Sequence, residues 1–319
     1  MEYDYIIRNI VLVFHYFFLV FTVLIVGSYV ILAVFSSRET IEYLKKNSFV
    51  NYKDLLTSDV APSISIIAPA YNESLNIVEN VRSLLSTHYV NYDVIIVNDG
   101  SKDDSLEKLI KAYDLERIEY LINQRVPTQP LRAGVFKSKN PAFEKLIVVD
   151  KENGGKADAL NCGINISESK YLACIDVDCL LLADSLQRMV KPFLEHTDKK
   201  VIASGGVIRI ANSCKIEDGK LLEVNYPDKW LERCQILEYL RSFLLGRMAW
   251  ARLNGLLVIS GAFGMFDREI AIKVGGYDTK TVGEDMEIIV RMRRYMEEEK
   301  LPYKVAYIPD PLCWTEAPD

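Results

Sequence analysis

Apolar and polar positions fall along this chain in blocks of two kinds. The first kind is one unbroken run: residues 9 to 35, NIVLVFHYFFLVFTVLIVGSYVILAVF, contain no Asp, Glu, Lys or Arg. A helix of that length reaches about 40 Å, enough to cross a bilayer with some tilt. It is too long for a signal-peptide core and no small-residue cleavage site follows, so it reads as a transmembrane helix over 9–36 after a short tail at 1–8. Glu2, Asp4 and Arg8 precede it, while Arg38, Lys45, Lys46 and Lys53 follow. The positive-inside rule then places the bulk of the chain in the cytoplasm. Residues 37–60 read as a charged, weakly helical connector, and Pro62 marks the entry to a domain.

The second kind begins at residue 61, where short apolar runs alternate with helix-periodic ones. SISIIAPAYNES (63–74) predicts a buried strand that stops at Pro69, and NIVENVRSLLSTH (76–88) a helix. YDVIIVNDGSKDDS (92–105) predicts strand, turn and helix start, continued by SLEKLIKAY. EKLIVVDKENGGKADALNCGI (144–164) repeats the theme around a Gly-Gly turn, and YLACIDVD (171–178) is the next strand. This alternation implies an α/β fold with a mostly parallel sheet covered on both faces. VIASGGVIRIANS (201–213) reads as a pair of strands. RCQILEYLRSFLLGRMAWARLNGLL (233–257) mixes large apolar residues with Arg233, Arg241, Arg247 and Arg252. Such a helix either lies in the membrane interface or packs on the sheet.

Composition narrows the function. A net charge of -6 and no dominant basic patch argue against nonspecific nucleic-acid binding. The six cysteines form no CxxC pair, which fits reduced core residues in a reducing compartment rather than a disulfide framework. Neither GxGxxG after the first strand nor a P-loop is present, so dinucleotide and P-loop chemistry find no support.

In a parallel sheet, ligands collect at the carboxyl ends of the strands. Three predicted strands end in polar clusters: Tyr71-Asn72-Glu73, Asn98-Asp99-Gly100-Ser101 and Asp176-Val177-Asp178. Asp176 and Asp178, one residue apart at a strand end, would point the same way. Two buried like charges call for a cation between them. A hard divalent ion, Mg2+ or Mn2+, completed by phosphate oxygens and water, fits that demand. The expectation is a metal that holds a diphosphate.

The segments APAYNES, VNDGSKDDS, NGGKADALN, DVD, SGAFGMF, GEDMEI and CWTEAP, in this order, resemble the family 2 inverting glycosyltransferases. The likeness is greatest to membrane-embedded polysaccharide synthases of the cellulose, hyaluronan, chitin and poly-N-acetylglucosamine type, and it covers about residues 60 to 319. The resemblance implies a GT-A fold over 61–319, a UDP-sugar donor and a divalent metal. It implies that Tyr71 and Glu73 line the nucleoside pocket and that Asp99 accepts a hydrogen bond from uracil. Lys156 would sit near the diphosphate, Asp158 would fix Lys156 or the donor, and Asp176 would contact the ribose or donor sugar. Asp178 would ligate the metal, joined by Asp176.

Asp285 matches the last acid of the family's Thr-Glu-Asp, here Gly283-Glu284-Asp285, and would be the general base. Val282, Met286 and Ile288 would shield it, with Glu284 as its rival. Ser260 and Gly261 would form an acceptor wall, Glu284 would lie beside the acceptor, and Trp314 would offer a sugar ring an aromatic face, with Glu316 nearby. Three departures stand out: Gly283 replaces the family threonine, Cys179 replaces a histidine found in some relatives, and the sequence stops before a Gln-x-x-Arg-Trp segment and further membrane helices. The implied activity is metal-dependent extension of a β-linked polysaccharide by a hexose or N-acetylhexosamine. The alternative is addition of one sugar to a lipid-linked acceptor. The implied place is a cell membrane, in a bacterium the inner one, with a single span and a cytoplasmic catalytic domain. A nucleotide-sugar-binding regulatory subunit is the reading from another class.

Overall fold

The structure is a computed structural model that describes residues 2–48, 61–195, 197–217 and 220–316. Lys53 and the rest of the connector at 49–60 lie outside the described residues. The first element, α1 (Glu2–Asn47), is one continuous helix that runs past 9–36 at both ends. Its most apolar stretch has a mean hydropathy of 2.7 and is wholly exposed, long and apolar enough to cross a membrane. Charged residues interrupt the apolar run after Phe35 without ending the helix. Glu39 and Glu42 bind Arg252 at 3.2 and 3.0 Å, and the Tyr43 hydroxyl donates to Asp310 at 2.6 Å. Charge ends a membrane span, but docking on a domain can carry the helix onward.

Beyond it the order is β1 (Ile64–Ala70), α2 (Ile77–Leu85), β2 (Tyr92–Asp99), α3 (Ser105–Tyr113), β3 (Leu115–Ile118), β4 (Leu131–Ser138) and β5 (Leu146–Lys151). Then come α4 (Lys156–Ile166), β6 (Tyr171–Ile175), β7 (Leu180–Leu181), α5 (Ser185–Leu194), β8 (Lys200–Ile210) and a hairpin of β9 (Lys215–Glu217) and β10 (Lys220–Glu223). The chain closes with α6 (Trp230–Tyr239), a π-helical stretch (Leu240–Arg247), α7 (Met248–Arg252), β11 (Phe263–Asp267), α8 (Arg268–Lys273), α9 (Glu284–Glu298) and β12 (Tyr303–Thr315).

Ten strands form one sheet in the order β3-β4-β5-β2-β1-β6-β11-β8-β12-β7. Only β4, β11 and β7 run against the rest, so the sheet is mostly parallel. Strands β1, β2, β5 and β6 read as continuous apolar runs because both faces are covered; Ile64, Ile66, Val94, Val97, Leu146 and Val148 have no exposed surface. Strand order reverses at β1, with β2 and β5 on one side and β6 on the other. That switch opens a crevice at the carboxyl ends of β1 and β6.

Residues 201–213 do not form a pair of strands. Residues 201–210 lie in the single strand β8, between β11 and β12, and 211–213 follow it. Gly205 and Gly206 look like a turn in sequence but serve packing: side chains there would press on Ile259 and Tyr307, and on Leu312. The 233–257 segment packs against both β8 and α1, and leaves Trp250, Leu253 and Leu257 exposed.

Candidate active site

Strand β6 ends at Ile175, so Asp176 and Asp178 occupy the turn after it rather than the strand itself. The turn is set by Cys179 N–H donating to the Asp176 carbonyl at 3.0 Å and Asp176 N–H donating to the Ala262 carbonyl at 3.4 Å. Asp178 is exposed and Asp176 half-buried, which corrects the expectation of two buried carboxylates on a strand. Water relieves part of their repulsion; Lys156 relieves more by pairing with Asp176. Burial still holds the Asp176 carboxyl above its usual range despite Lys156. Burial would pull the Lys156 ammonium down, but Asp176, Asp285 and Glu284 together leave it raised.

Ligand atoms of Asp176, Asp178 and Cys179 lie within 4.8 Å of one another. The two carboxylates suit a hard divalent ion. The Cys179 thiol is a soft donor, buried against the Cys313 thiol, and does not match that chemistry. Asp176 and Asp178 are therefore the pair that fits Mg2+ or Mn2+.

Tyr71, Glu73, Asp99, Lys156, Asp176 and Asp178 all line one crevice of about 230 Å3. Burial, followed by the charges of Asp178, Asp103 and Asp176, raises the Glu73 carboxyl, so acids from the ends of β1 and β6 feel each other across the opening. A larger cavity of about 870 Å3 lies at the other end of the sheet, around Ser63, Lys170 and Lys200. None of the residues predicted to carry chemistry lines it.

Asp99, which lines the crevice, is paired with a buried lysine that sequence reasoning missed. Lys151 ends β5 with no exposed surface, 2.6 Å from Asp99 and 2.5 Å from Asp158. Burial would lower its pKa, but the hydrogen bonds it donates to Asp158 and Asp99 win and leave it raised. Asp99 also accepts the N–H groups of Gly154 at 3.0 Å and Gly155 at 2.8 Å. Gly155 adopts φ +86° to turn into α4, a conformation open to glycine. Asp158 thus faces Lys151 and the Gln129 N–H, and Lys156 faces Asp176. The signal was available: LIVVDK is another apolar strand that ends in charge.

Asp285 is the second residue of α9. Its carboxyl accepts the Gly261 N–H, and burial raises its pKa, opposed by Lys156 and reinforced by Glu284 and Asp176. The same lysine therefore acts on Asp176 and Asp285, and the base candidate belongs to the same charge cluster as the metal candidates. The expected shielding residues do not provide the cover: Val282 is 99% exposed, Met286 is half exposed, and Ile288 lies in the core. The 260–262 strip provides it. A side chain at Gly261 would collide with the Asp285 carboxylate, so glycine here admits the acid to the backbone. Gly261→Ala is expected to lower turnover about 10²-fold, the size of effect a displacement near 1 Å has on positioned groups. Single-turnover kinetics with an unchanged melting temperature would bear this out; wild-type turnover would refute it.

Ser260 is half-buried in the same strip and Glu284 starts α9 beside Asp285. Trp314 is elsewhere: it is buried in β12 opposite Leu180 and does not line the crevice. Glu316 is exposed.

The profile of Glycosyl transferase family 2 matches residues 65–126 and 133–275. The poly-beta-1,6-N-acetyl-D-glucosamine synthase of Staphylococcus aureus is 27% identical over 271 residues, which is 85% of this chain and 54% of that protein. The synthase of the same name from Staphylococcus epidermidis is 28% identical over 257 residues, 80% of this chain and 50% of that protein. The chain thus spans about half the length of the curated relatives it matches. Among solved structures, mannosyltransferase PcManGT from Pyrobaculum calidifontis, in complex with GDP-Man and Mn2+, superposes with a TM-score of 0.54 at 19% identity, over 91% of this chain and 69% of that one. TarS 1-349 of S. aureus superposes with a TM-score of 0.50 at 14% identity, over 80% of this chain and 60% of that one. These structures share the GT-A fold.

Proposed function

The chain belongs to glycosyl transferase family 2, and from that premise we propose that it transfers a hexose or N-acetylhexosamine from a UDP-sugar to a β-linked saccharide, with inversion. One observation carries the reading: Lys156 pairs with Asp176, at the crevice where a metal pair is available, and its charge also acts on Asp285, a carboxyl with a raised pKa. Leaving-group and base chemistry then share the field of a single lysine. The synthases that match at 27 and 28% identity make N-acetylglucosamine polymer the favoured product.

The nucleoside lies against Tyr71 and Glu73 at the end of β1, and the diphosphate reaches toward Asp176, Asp178 and Lys156. Asp178, with Asp176, would hold the divalent ion, which would supply positive charge to the departing diphosphate. The Lys156 ammonium adds to that charge and is held in place by Asp176 until the donor arrives. The Asp285 carboxylate, oriented by the Gly261 N–H, takes the proton of the acceptor hydroxyl as its oxygen attacks the anomeric carbon from the face opposite UDP. Glu284 lies beside that path. The base needs to be partly desolvated to have useful basicity near neutral pH, and the 260–262 strip meets that need.

In this reading α1 spans the membrane and the catalytic domain is cytoplasmic. The test at the metal pair is Asp178→Ala. Losing an outer-shell partner of a metal typically weakens metal binding about 10- to 100-fold, and loss of a direct ligand should do at least as much. Titrating UDP with and without Mn2+ checks it: metal-dependent affinity should vanish in the variant. Equal metal enhancement in variant and wild type would remove Asp178 from this role.

A further inference from the structure

At the carboxyl ends of β2 and β5, Asn98 pairs in register with Asp150, and Asp99 with Lys151. Side chains alternate along a strand, so the two pairs point to opposite faces of the sheet. Asp99 and Lys151 belong to the crevice. Asn98 and Asp150 have no part in the transfer chemistry, yet both are buried. The Asp150 carboxylate accepts Arg132 Nε and Nη2, each at 2.9 Å, the Ala133 N–H at 3.1 Å and the Asn98 amide at 2.6 Å. An irregularity in β4 brings Arg132 there: the register with β5 jumps from Leu131–Lys151 to Gly134–Asp150, and Arg132 lies in the step. Bulges of this kind re-aim side chains next to active sites.

From Asp150 the hydrogen bonds run in one direction. With the Asn98 NH2 committed to Asp150, the amide oxygen is left for the Ser101 hydroxyl, at 2.5 Å. A serine hydroxyl has a single proton to give. Because that proton goes to Asn98, Ser101 Oγ acts as an acceptor toward its other neighbour, the Asn72 N–H at 3.0 Å. The Asn72 side chain in turn accepts the Lys102 N–H at 2.9 Å, and Arg132 Nη1 reaches the Ser101 carbonyl at 3.4 Å. Asn72 has φ +57°, a left-handed backbone that costs energy in any residue with a side chain. Its neighbours Tyr71 and Glu73 line the crevice. The next two amides are held from the start of α3: Glu73 N–H donates to Ser105 Oγ and Ser74 N–H to Asp103, both at 3.1 Å. The link at Asn72 is the one that leads back to Arg132.

We propose that Arg132 and Asp150 are positioning residues for the donor nucleotide, acting through Asn98 and Ser101 to hold the Tyr71–Glu73 turn in its binding shape. The inference rests on the reading that the nucleoside lies against Tyr71 and Glu73, and it adds the device that presets them. Presetting matters because a turn that is ordered only on binding subtracts its ordering cost from the affinity. Among Arg132, Asp150, Asn98 and Ser101, none lines the crevice. Their effect therefore falls on donor binding and not on the chemical step.

Arg132→Ala and Ser101→Ala cut this path at its two ends. In the full chain in detergent, each should raise the Kd for UDP about five- to tenfold, the worth of one lost hydrogen bond, read by calorimetry with Mn2+. The KM for UDP-N-acetylglucosamine should rise in parallel, with kcat held within about twofold. Both cuts break one path, so the double variant should bind UDP within about twofold of the weaker single variant, whereas independent losses would multiply. Arg132→Lys keeps a cation on Asp150 and should recover most of the affinity. The ratio of UDP affinities with and without Mn2+ should stay at its wild-type value, because Asp176 and Asp178 are untouched. A merely structural role would lower the fraction of competent protein and leave Kd and KM where they were. Wild-type UDP affinity in both single variants, or losses that multiply in the double, overturns the proposal and leaves the crevice reading standing. If wild type itself does not bind UDP, the crevice reading fails and this inference falls with it.

Discussion

Asp285→Asn is expected to lower turnover about 10²- to 10⁴-fold, the usual contribution of a general base, with UDP and Mn2+ still binding. The amide keeps the shape and the contact with the Gly261 N–H but cannot accept the acceptor's proton. Single-turnover transfer measures the first half and calorimetry the second; full turnover in the variant would end the assignment. The pH profile provides an independent check. Burial raises the Asp285 carboxyl, and the base acts only when ionised, so kcat should fall as pH drops through that raised value. Its acid limb should lie above the range of an ordinary aspartate, near 3.9, and should disappear from the residual activity of Asp285→Asn. An acid limb that the substitution leaves in place would belong to another group.

The second large effect is on stability. Lys151→Met should destabilise the catalytic domain by about 3–5 kcal/mol, the penalty for removing one partner of a buried charged set. The ammonium has no exposed surface and holds Asp99 and Asp158 at 2.6 and 2.5 Å; a thioether of similar length leaves both carboxylates facing each other unneutralised. For a domain of this size the melting temperature should fall by on the order of 10 °C, read by thermal unfolding in detergent. A fall under about 2 °C would mean that water or a proton replaces the lysine without difficulty. Because Asp99 also anchors the Gly154 and Gly155 N–H groups, UDP affinity should fall with stability. That coupling separates Lys151 from a purely structural core residue.

Much of this arrangement was legible along the chain. The strands whose ends line the crevice are buried on both faces, so their apolar runs are uninterrupted, and a run that breaks into Tyr71-Asn72-Glu73 or Asp176-Val177-Asp178 marks where the sheet stops and ligand space starts. What was not legible involved partners distant in sequence. LIVVDK shows an apolar strand that ends in charge, but nothing local says that Asp99 and Asp158 close over Lys151. Asp285 was expected to be shielded by its neighbours Val282 and Met286, which point into solvent; its cover comes from Gly261. Trp314 was expected to offer an acceptor sugar an aromatic face and lies buried in β12, outside the crevice, since pairing with β7 and β8 decides where β12 delivers its side chains.

By itself the sequence determined the α/β alternation, the apolar helix and the identity of the acids, because periodicity and strand-end chemistry are local properties of the chain. Tertiary structure alone decided which charges meet. Lys156 was assigned to Asp176 and Lys151 to Asp99 and Asp158 by the path of α4 and the order of the strands. The Gly-Gly step in β8 became packing rather than a turn because neighbouring side chains needed the room. Pairing energies depend on distance and burial, and both are set by how separate segments fold against one another.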